Sequence, residues 1–250
     1  MNITLLGSAP HLQWFARRLS DHGFAITEAQ IPPYSLMERM GQGWQSGILF
    51  DDLLIDTGPT PLTGRVDRAH ACRAAGLAYA ELAGHWLEPG TELGFAVFAG
   101  ATSADRDRLR PLLDALAPRA GAWLFCGPPG GGCYAAHTFD ALTSAAALAM
   151  QAGWTCPGTP LQPPDWGAFF RQQEELATRL LGWARLYLTL YPDLPELDPW
   201  AQLARFSAPP TAQAHFSANL ARLIVLALGQ GFAQQEILQT LLPLSPAAVK

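Results

Sequence analysis

The hydrophobic pattern changes period several times along the first half of the chain. Ile3 to Leu6 is a short apolar run that stops at Gly7-Ser8-Ala9-Pro10, after which Leu12, Phe15, Ala16 and Leu19 recur at helical spacing. Gly23 ends that helix, and Phe24 to Thr27 reads as a second strand. Strand, tight turn, helix and strand make a βαβ opening. Ile31 to Gly47 is irregular, with Pro32 and Pro33; strand-like sequence then resumes at Ile48 and runs to Asp56, ahead of Thr57-Gly58-Pro59.

From Leu62 to Ala75 the pattern is helical and arginine-bearing, and Gly76 ends it. Leu77 to Leu82, Phe95 to Phe98 and Ala122 to Phe125 are predicted strands, with a helix over Ser103 to Leu116 before the last of them. Strands alternating with helices predict an α/β fold with a largely parallel sheet. Beyond Cys133 the character changes. Phe139 to Met150 is alanine-rich, Trp166 to Leu190 is a long amphipathic run, and Ala212 to Leu228 and Ala233 to Leu242 repeat the helical period. The predicted division is an α/β domain over 1–130 and an all-helical domain over 131–250, with Pro157 to Pro164 as a flexible connection.

Composition narrows the classes. Of the 250 residues, 49% are hydrophobic and 15% charged, which excludes a disordered chain, and a net charge of −5 speaks against a nucleic-acid partner. The only lysine is Lys250, so Schiff-base chemistry and a P-loop lysine are excluded from the body of the chain. The opening Met-Asn-Ile-Thr-Leu-Leu-Gly is not a secretory signal, and Leu220 to Leu228 contains Arg222 and is too short to span a bilayer. A cytoplasmic protein with no membrane partner is expected, its cysteines (Cys72, Cys126, Cys133 and Cys156) free thiols. Cys126, Cys133 and His137 are zinc-ligand types, but their spacing is not that of a paired zinc motif, and no metal is expected.

Two glycine-bearing stretches carry a resemblance. Gly7-Ser8-Ala9-Pro10-His11-Leu12 matches a GxGxxG turn at its first glycine only, and Glu28 stands at the end of the second strand, where an acid would bond a ribose hydroxyl. Ile55-Asp56-Thr57-Gly58, then Gly76, Gly90, Gly94 and Gly100, then Gly127 to Tyr134 with its run Gly130-Gly131-Gly132 resemble the 6-phosphogluconate dehydrogenase and β-hydroxyacid dehydrogenase superfamily. The likeness runs from about Ile3 to about Met150. It implies a shortened Rossmann-like domain followed by a helical domain, a cleft between them, and a homodimer formed through the helical half.

The chemistry of that family does not carry over. Its substrate loop Ser-Gly-Gly is His85-Trp86-Leu87 here, its catalytic lysine falls on Ala136, and the nearby asparagine falls on Asp140. Alanine cannot move a proton, so the family's alcohol dehydrogenation is not expected. Ala9 adds a methyl, and Pro10 removes an N–H, where a pyrophosphate would approach. With Gly7, Ser8, Ala9 and Glu28 as the remnant of a cofactor turn, no NAD(P) or only weak NAD(P) binding is expected. Ala135-Ala136-His137-Thr138-Phe139-Asp140 is also similar to a stretch of the related imine reductases, which place an Asp or Tyr on the same helix.

The polar groups that such a fold would bring to the cleft are His85, His137 and Asp140. Histidine with a carboxylate can exchange protons near neutral pH, the carboxylate fixing the imidazole tautomer. The expected function is a repurposed enzyme acting on a small organic substrate, by imine-type reduction or redox-free acid/base chemistry, with Cys133 inert. The alternative is a non-catalytic protein that binds a ligand or a partner.

Overall fold

Every strand among the described residues enters one seven-stranded sheet, and helices pack on its two faces. The computed structural model describes residues 1–29, 44–153, 166–192, 204 and 215–241. In chain order the elements are β1 (Asn2–Gly7), α1 (His11–Asp21), β2 (Ala25–Ala29), β3 (Ser46–Phe50), β4 (Leu53–Asp56), α2 (Leu62–Ala74) and β5 (Ala78–Gly84). There follow α3 (Gly90–Leu93), β6 (Val97–Ala101), α4 (Arg106–Leu116), β7 (Leu124–Gly127), α5 (Gly131–Gly153), α6 (Trp166–Leu190) and α7 (Phe216–Leu241). The strands lie in the order β2-β1-β3-β4-β5-β6-β7. A Rossmann-like α/β layer followed by helices is therefore present, and no strand occurs after β7 among the described residues.

The sheet is mixed, where a largely parallel one was expected. β1–β2, β4–β5 and β6–β7 pair in parallel, whereas β1–β3, β3–β4 and β5–β6 are antiparallel. Connection length explains this. A parallel crossover needs a dozen or more residues. Phe50 and Leu53 are joined by Asp51-Asp52 alone, and Asp51 adopts φ 54°, a left-handed turn that aspartate tolerates. The stretch from Ile48 to Asp56 is thus a hairpin, not one strand. Between β5 and β6 the only helix is four-residue α3, too short for a crossover.

Alternation along the strands sorts the core. Ile3, Leu5, Leu53 and Ile55 face the layer of α1 and α4, packing with Phe15, Leu19, Leu109, Leu112 and Leu116. Leu6, Leu54 and Tyr79 face the other way, against Ala69 and Cys72 of α2. On that second face Tyr134 of α5, Tyr187 of α6 and Phe216 of α7 close a separate apolar cluster. The helix α5 opens at Gly131, within the glycine run, and carries the alanine-rich stretch from Phe139; the two predicted C-terminal runs are one helix, α7. The Pro157 to Pro164 connection lies outside the described residues. No described helix is long and apolar enough to cross a membrane.

Gly7 shows what the mixed sheet requires. Its φ is +101°, and a Cβ there would sit 2.2 Å from the Gln45 carbonyl oxygen. Gly23 has φ +82° but open space around it. Gly7→Ala is expected to cost clearly more than the ~1–2 kcal/mol set by the left-handed backbone alone, while Gly23→Ala costs about that amount. Urea unfolding of the two variants checks this; equal losses would place Gln45 elsewhere.

Candidate functional site

The site is built over two buried carboxylates. Parallel pairing of β4 with β5 sets Asp56 opposite Glu81, on the face covered by α2 and α5, and both are fully buried. Arg65 and Arg68, on α2, reach down to them. Arg68 binds Asp56 Oδ2 at 2.8 Å, and Tyr79 donates to the same oxygen at 3.1 Å. Asp56 Oδ1 accepts the Gly58 N–H at 3.0 Å, which shapes the loop after β4. Arg65 Nε lies 3.2 Å from Glu81 Oε2, but the contact is an ion pair without a hydrogen bond, since Nε donates to the Thr60 carbonyl at 3.3 Å. Burial opposes the Arg65 charge; Glu81 and Asp56 outweigh it and raise the guanidinium pKa. Burial raises the Glu81 pKa, against Arg65 and the backbone N–H groups of Cys133 and Gly132.

Those two N–H groups belong to the first turn of α5, so Glu81 caps that helix from the sheet. Cys133 N donates to Glu81 Oε1 at 3.1 Å. A Cβ on Gly132 would lie 2.7 Å from the Phe98 carbonyl, and one on Gly100 would lie 2.5 Å from Glu81 Oε1. The glycine run therefore serves close helix–sheet approach.

A cleft of about 380 Å³ opens between this first stretch of α5 and the ends of β1, β4 and β5, and His85, His137 and Asp140 all line it. His85 Nε2 is 3.0 Å from Asp140 Oδ1, bridging the loop after β5 to α5. Their side chains are 61% and 49% exposed, so solvent screens the pair and its value lies in geometry more than in stability. The His137 side chain is exposed on one side, while its ring tilts against Trp183 at 5.5 Å and its Nδ1 is 3.8 Å from Cys133 Sγ. Burial, aided by the Arg65 charge, lowers its pKa. The Cys133 thiol is pushed up to about 12 by burial and by Glu81, leaving it protonated at neutral pH. A second groove, of about 220 Å³, shares His137 and Asp140 and continues toward Gln172, Glu175, Arg179 and Trp183 of α6.

His11 was missed by sequence reasoning as a site residue. It is the first residue of α1, lines the cleft and is 8% exposed. Its Nε2 lies 3.1 Å from Thr57 Oγ1 and 3.3 Å from Ser46 Oγ, and Thr57 donates to Ser46 Oγ at 3.1 Å. The rings of Phe15 and Trp86 flank it, with centroids 5.4 and 6.1 Å away. Burial brings its pKa down to about 4. The one available signal was its place directly after a strand and a tight turn.

The remnant cofactor turn is arranged differently. In a doubly wound parallel sheet the pyrophosphate rests at the carboxyl end of β1, beside a parallel neighbour. Here antiparallel β3 enters the sheet at that point, pairing Ser46 with Gly7 and setting the Gln45 carbonyl against the glycine. The N–H groups of Leu12 and Gln13 are bonded to Ala9 and Pro10 carbonyls. Ser8 is exposed, Ala9 lines the cleft, and Glu28 is exposed on β2, at the sheet edge. The residues present do not fit a dinucleotide in the usual crevice.

No protein-family model matches the chain, and neither does any curated protein sequence. Among solved structures, 3-hydroxyisobutyrate dehydrogenase of Mycobacterium tuberculosis, solved with L-serine, has a TM-score of 0.43 and 14% identity, covering 89% of this chain and 99% of that one. The 3-hydroxyisobutyrate dehydrogenase of Salmonella typhimurium has a TM-score of 0.38 and 16% identity, covering 93% and 95%. Both neighbours are β-hydroxyacid dehydrogenase-type proteins. At this degree of likeness the function has to be read from the site itself.

His11 has a measurable consequence. The unfolded chain protonates it near pH 6.5 and the folded chain only near 4. The unfolded state thus binds the extra proton between those values, and stability falls as the pH drops through that window, by up to roughly 3 kcal/mol. His11→Asn is expected to lose stability less steeply between pH 6.5 and 4 than the parent. Denaturant unfolding across that range gives the comparison; identical slopes would contradict a buried neutral imidazole.

Proposed function

We propose that this protein is an enzyme that moves protons on a small organic substrate held in the cleft beneath the His85–Asp140 pair, without a nicotinamide cofactor. The observation that carries this reading is the pair itself. Asp140 stands four residues after Ala136, the position of the family's lysine, and reaches a histidine on the facing loop at 3.0 Å. Asp140 holds His85 by Nε2 and leaves Nδ1 to take and return a proton. His137, whose pKa is lowered by burial and by the Arg65 charge, adds a polar group to the same wall.

Redox-free chemistry is preferred over imine-type reduction because of the sheet. The Gln45 carbonyl against Gly7 takes the place where a pyrophosphate would rest. The cleft floor is left to Thr57, Pro59 and His11, which suits a small substrate. A cytoplasmic location and a homodimer through the helical half complete the reading; exposed Phe139, Leu142, Phe170 and Leu186 on α5 and α6 support the latter.

Two measurements test it. Calorimetric titration with NADH and NADPH is expected to show no low-micromolar binding. Incubation with a mixture of small carbonyl compounds and organic acids in D2O, followed by proton NMR, is expected to show catalysed exchange at a carbon-bound proton. His85→Gln and Asp140→Asn should each slow that exchange by about 10²–10⁴-fold, with circular dichroism unchanged and Cys133→Ala near the parent rate. Binding without any chemical change would favour a ligand-binding role, and tight NADH binding would restore a dehydrogenase.

A further inference from the structure

The proton transfer proposed above leaves His11 without a task, although His11 is built into the cleft more firmly than His85. Its hydrogen bonds decide which of its nitrogens carries the proton. Nε2 faces two hydroxyls, from Ser46 at 3.3 Å and Thr57 at 3.1 Å. Thr57 donates to Ser46 Oγ. If Nε2 carried the proton and donated it to Thr57, the Ser46 hydroxyl hydrogen would have no acceptor in this chain of bonds. If Nε2 accepts from Ser46, every hydroxyl hydrogen in the chain is used. The satisfied arrangement therefore places the imidazole hydrogen on Nδ1, which makes no hydrogen bond among the described residues.

A neutral imidazole is also what the surroundings favour. His11 begins α1, where the helix dipole disfavours a cation, and Phe15 and Trp86 pack beside it. A neutral N–H is a good partner for an oxygen that gains negative charge during a reaction, because it donates strongly without surrendering its proton.

We propose that His11 presents Nδ1–H to the cleft and stabilises the oxygen of a small carbonyl substrate as it becomes an enolate. The inference rests on the reading that this cleft performs proton transfer, and it names the substrate class: a hydroxy- or oxo-carbonyl compound with a C–H beside the carbonyl. That proton passes to His85 Nδ1. The C–H electron pair becomes the C=C bond, and the carbonyl π pair moves onto oxygen, where it meets the His11 N–H. Return of the proton to the same carbon gives exchange. In a hydroxycarbonyl substrate, return to the former carbonyl carbon gives isomerisation, the proton of the α-hydroxyl moving to the enolate oxygen so that the new carbonyl forms where the hydroxyl stood. No oxidant or reductant is consumed. Ser46, behind the cleft and fully buried, is a positioning residue that sets the tautomer.

The experiment uses the full chain. Two-bond ¹⁵N–¹H correlation on histidine-labelled protein is expected to show His11 protonated on Nδ1, and Ser46→Ala is expected to release it toward the Nε2–H form. Exchange of pyruvate, 2-oxobutyrate and hydroxyacetone in D2O is expected to be accelerated by the parent protein. His11→Gln should slow it about 10²–10³-fold, and Ser46→Ala less. An Nε2–H tautomer in the parent, exchange unchanged by His11→Gln, or no exchange with all three compounds overturns the proposal. Should His11→Gln misfold, the parent's tautomer and the Ser46→Ala rate decide. If exchange needs His11 but survives both His85→Gln and Asp140→Asn, the His85–Asp140 assignment fails and the role of His11 stands.

Discussion

Two carboxylates side by side in the sheet govern the rest of the structure. Asp56 and Glu81 face each other across β4 and β5, fully buried, and like charges at that spacing are intolerable unless cations enter with them. Arg65 and Arg68 meet that demand, one turn of α2 apart. The result is a clamp on three elements. Glu81 holds the first turn of α5, Asp56 holds the loop at Gly58, and Arg65 binds the Thr60 carbonyl and the Asp56 main chain. Removing one partner from a buried pair of this kind costs ~3–5 kcal/mol, because the other charge is stranded. The walls of the cleft are therefore held by charge, while the apolar clusters hold the layers together.

The second constraint is the hairpin of β3 and β4. By placing an antiparallel strand next to β1, it brings Gln45 and Ser46 to the spot where an open parallel sheet leaves its crevice. The fold keeps a Rossmann-like α/β layer, with the Gln45 carbonyl lying against Gly7 at the end of β1. The remaining cavity lies further along the sheet, toward α5. Ser46, delivered by the same hairpin, joins Thr57 in anchoring His11, so the pairing of β3 with β1 also sets the side chains at the back of the cleft.

Local signals carried much of the architecture. Apolar period and glycine stops placed α1, α2 and β5 to within a few residues, and α6 spans Trp166–Leu190, the amphipathic run read from the chain. Ala136 and Asp140, four apart, announce one helical face, and a resemblance in the glycine pattern pointed to His85 on the facing loop. What depends on period and turn chemistry is written locally, because each residue's neighbours along the chain suffice to express it.

Pairing direction, charge state and the role of His11 are not local quantities. Asp51 and Asp52 look like polar positions of a continuing strand until the β1–β3 ladder turns the chain back on itself. The glycines from Gly130 to Gly132 carry the family resemblance as a run, and only contact with Phe98 and Glu81 shows Gly132 serving helix–sheet approach. His11 meets Ser46 and Thr57 from 35 and 46 residues away. The sequence by itself determined which segments are strand or helix and which polar residues share a helical face. Tertiary structure alone decided which strands run antiparallel, which histidine is buried neutral and where the cleft lies, because desolvation and long-range hydrogen bonds exist only once distant segments are packed together.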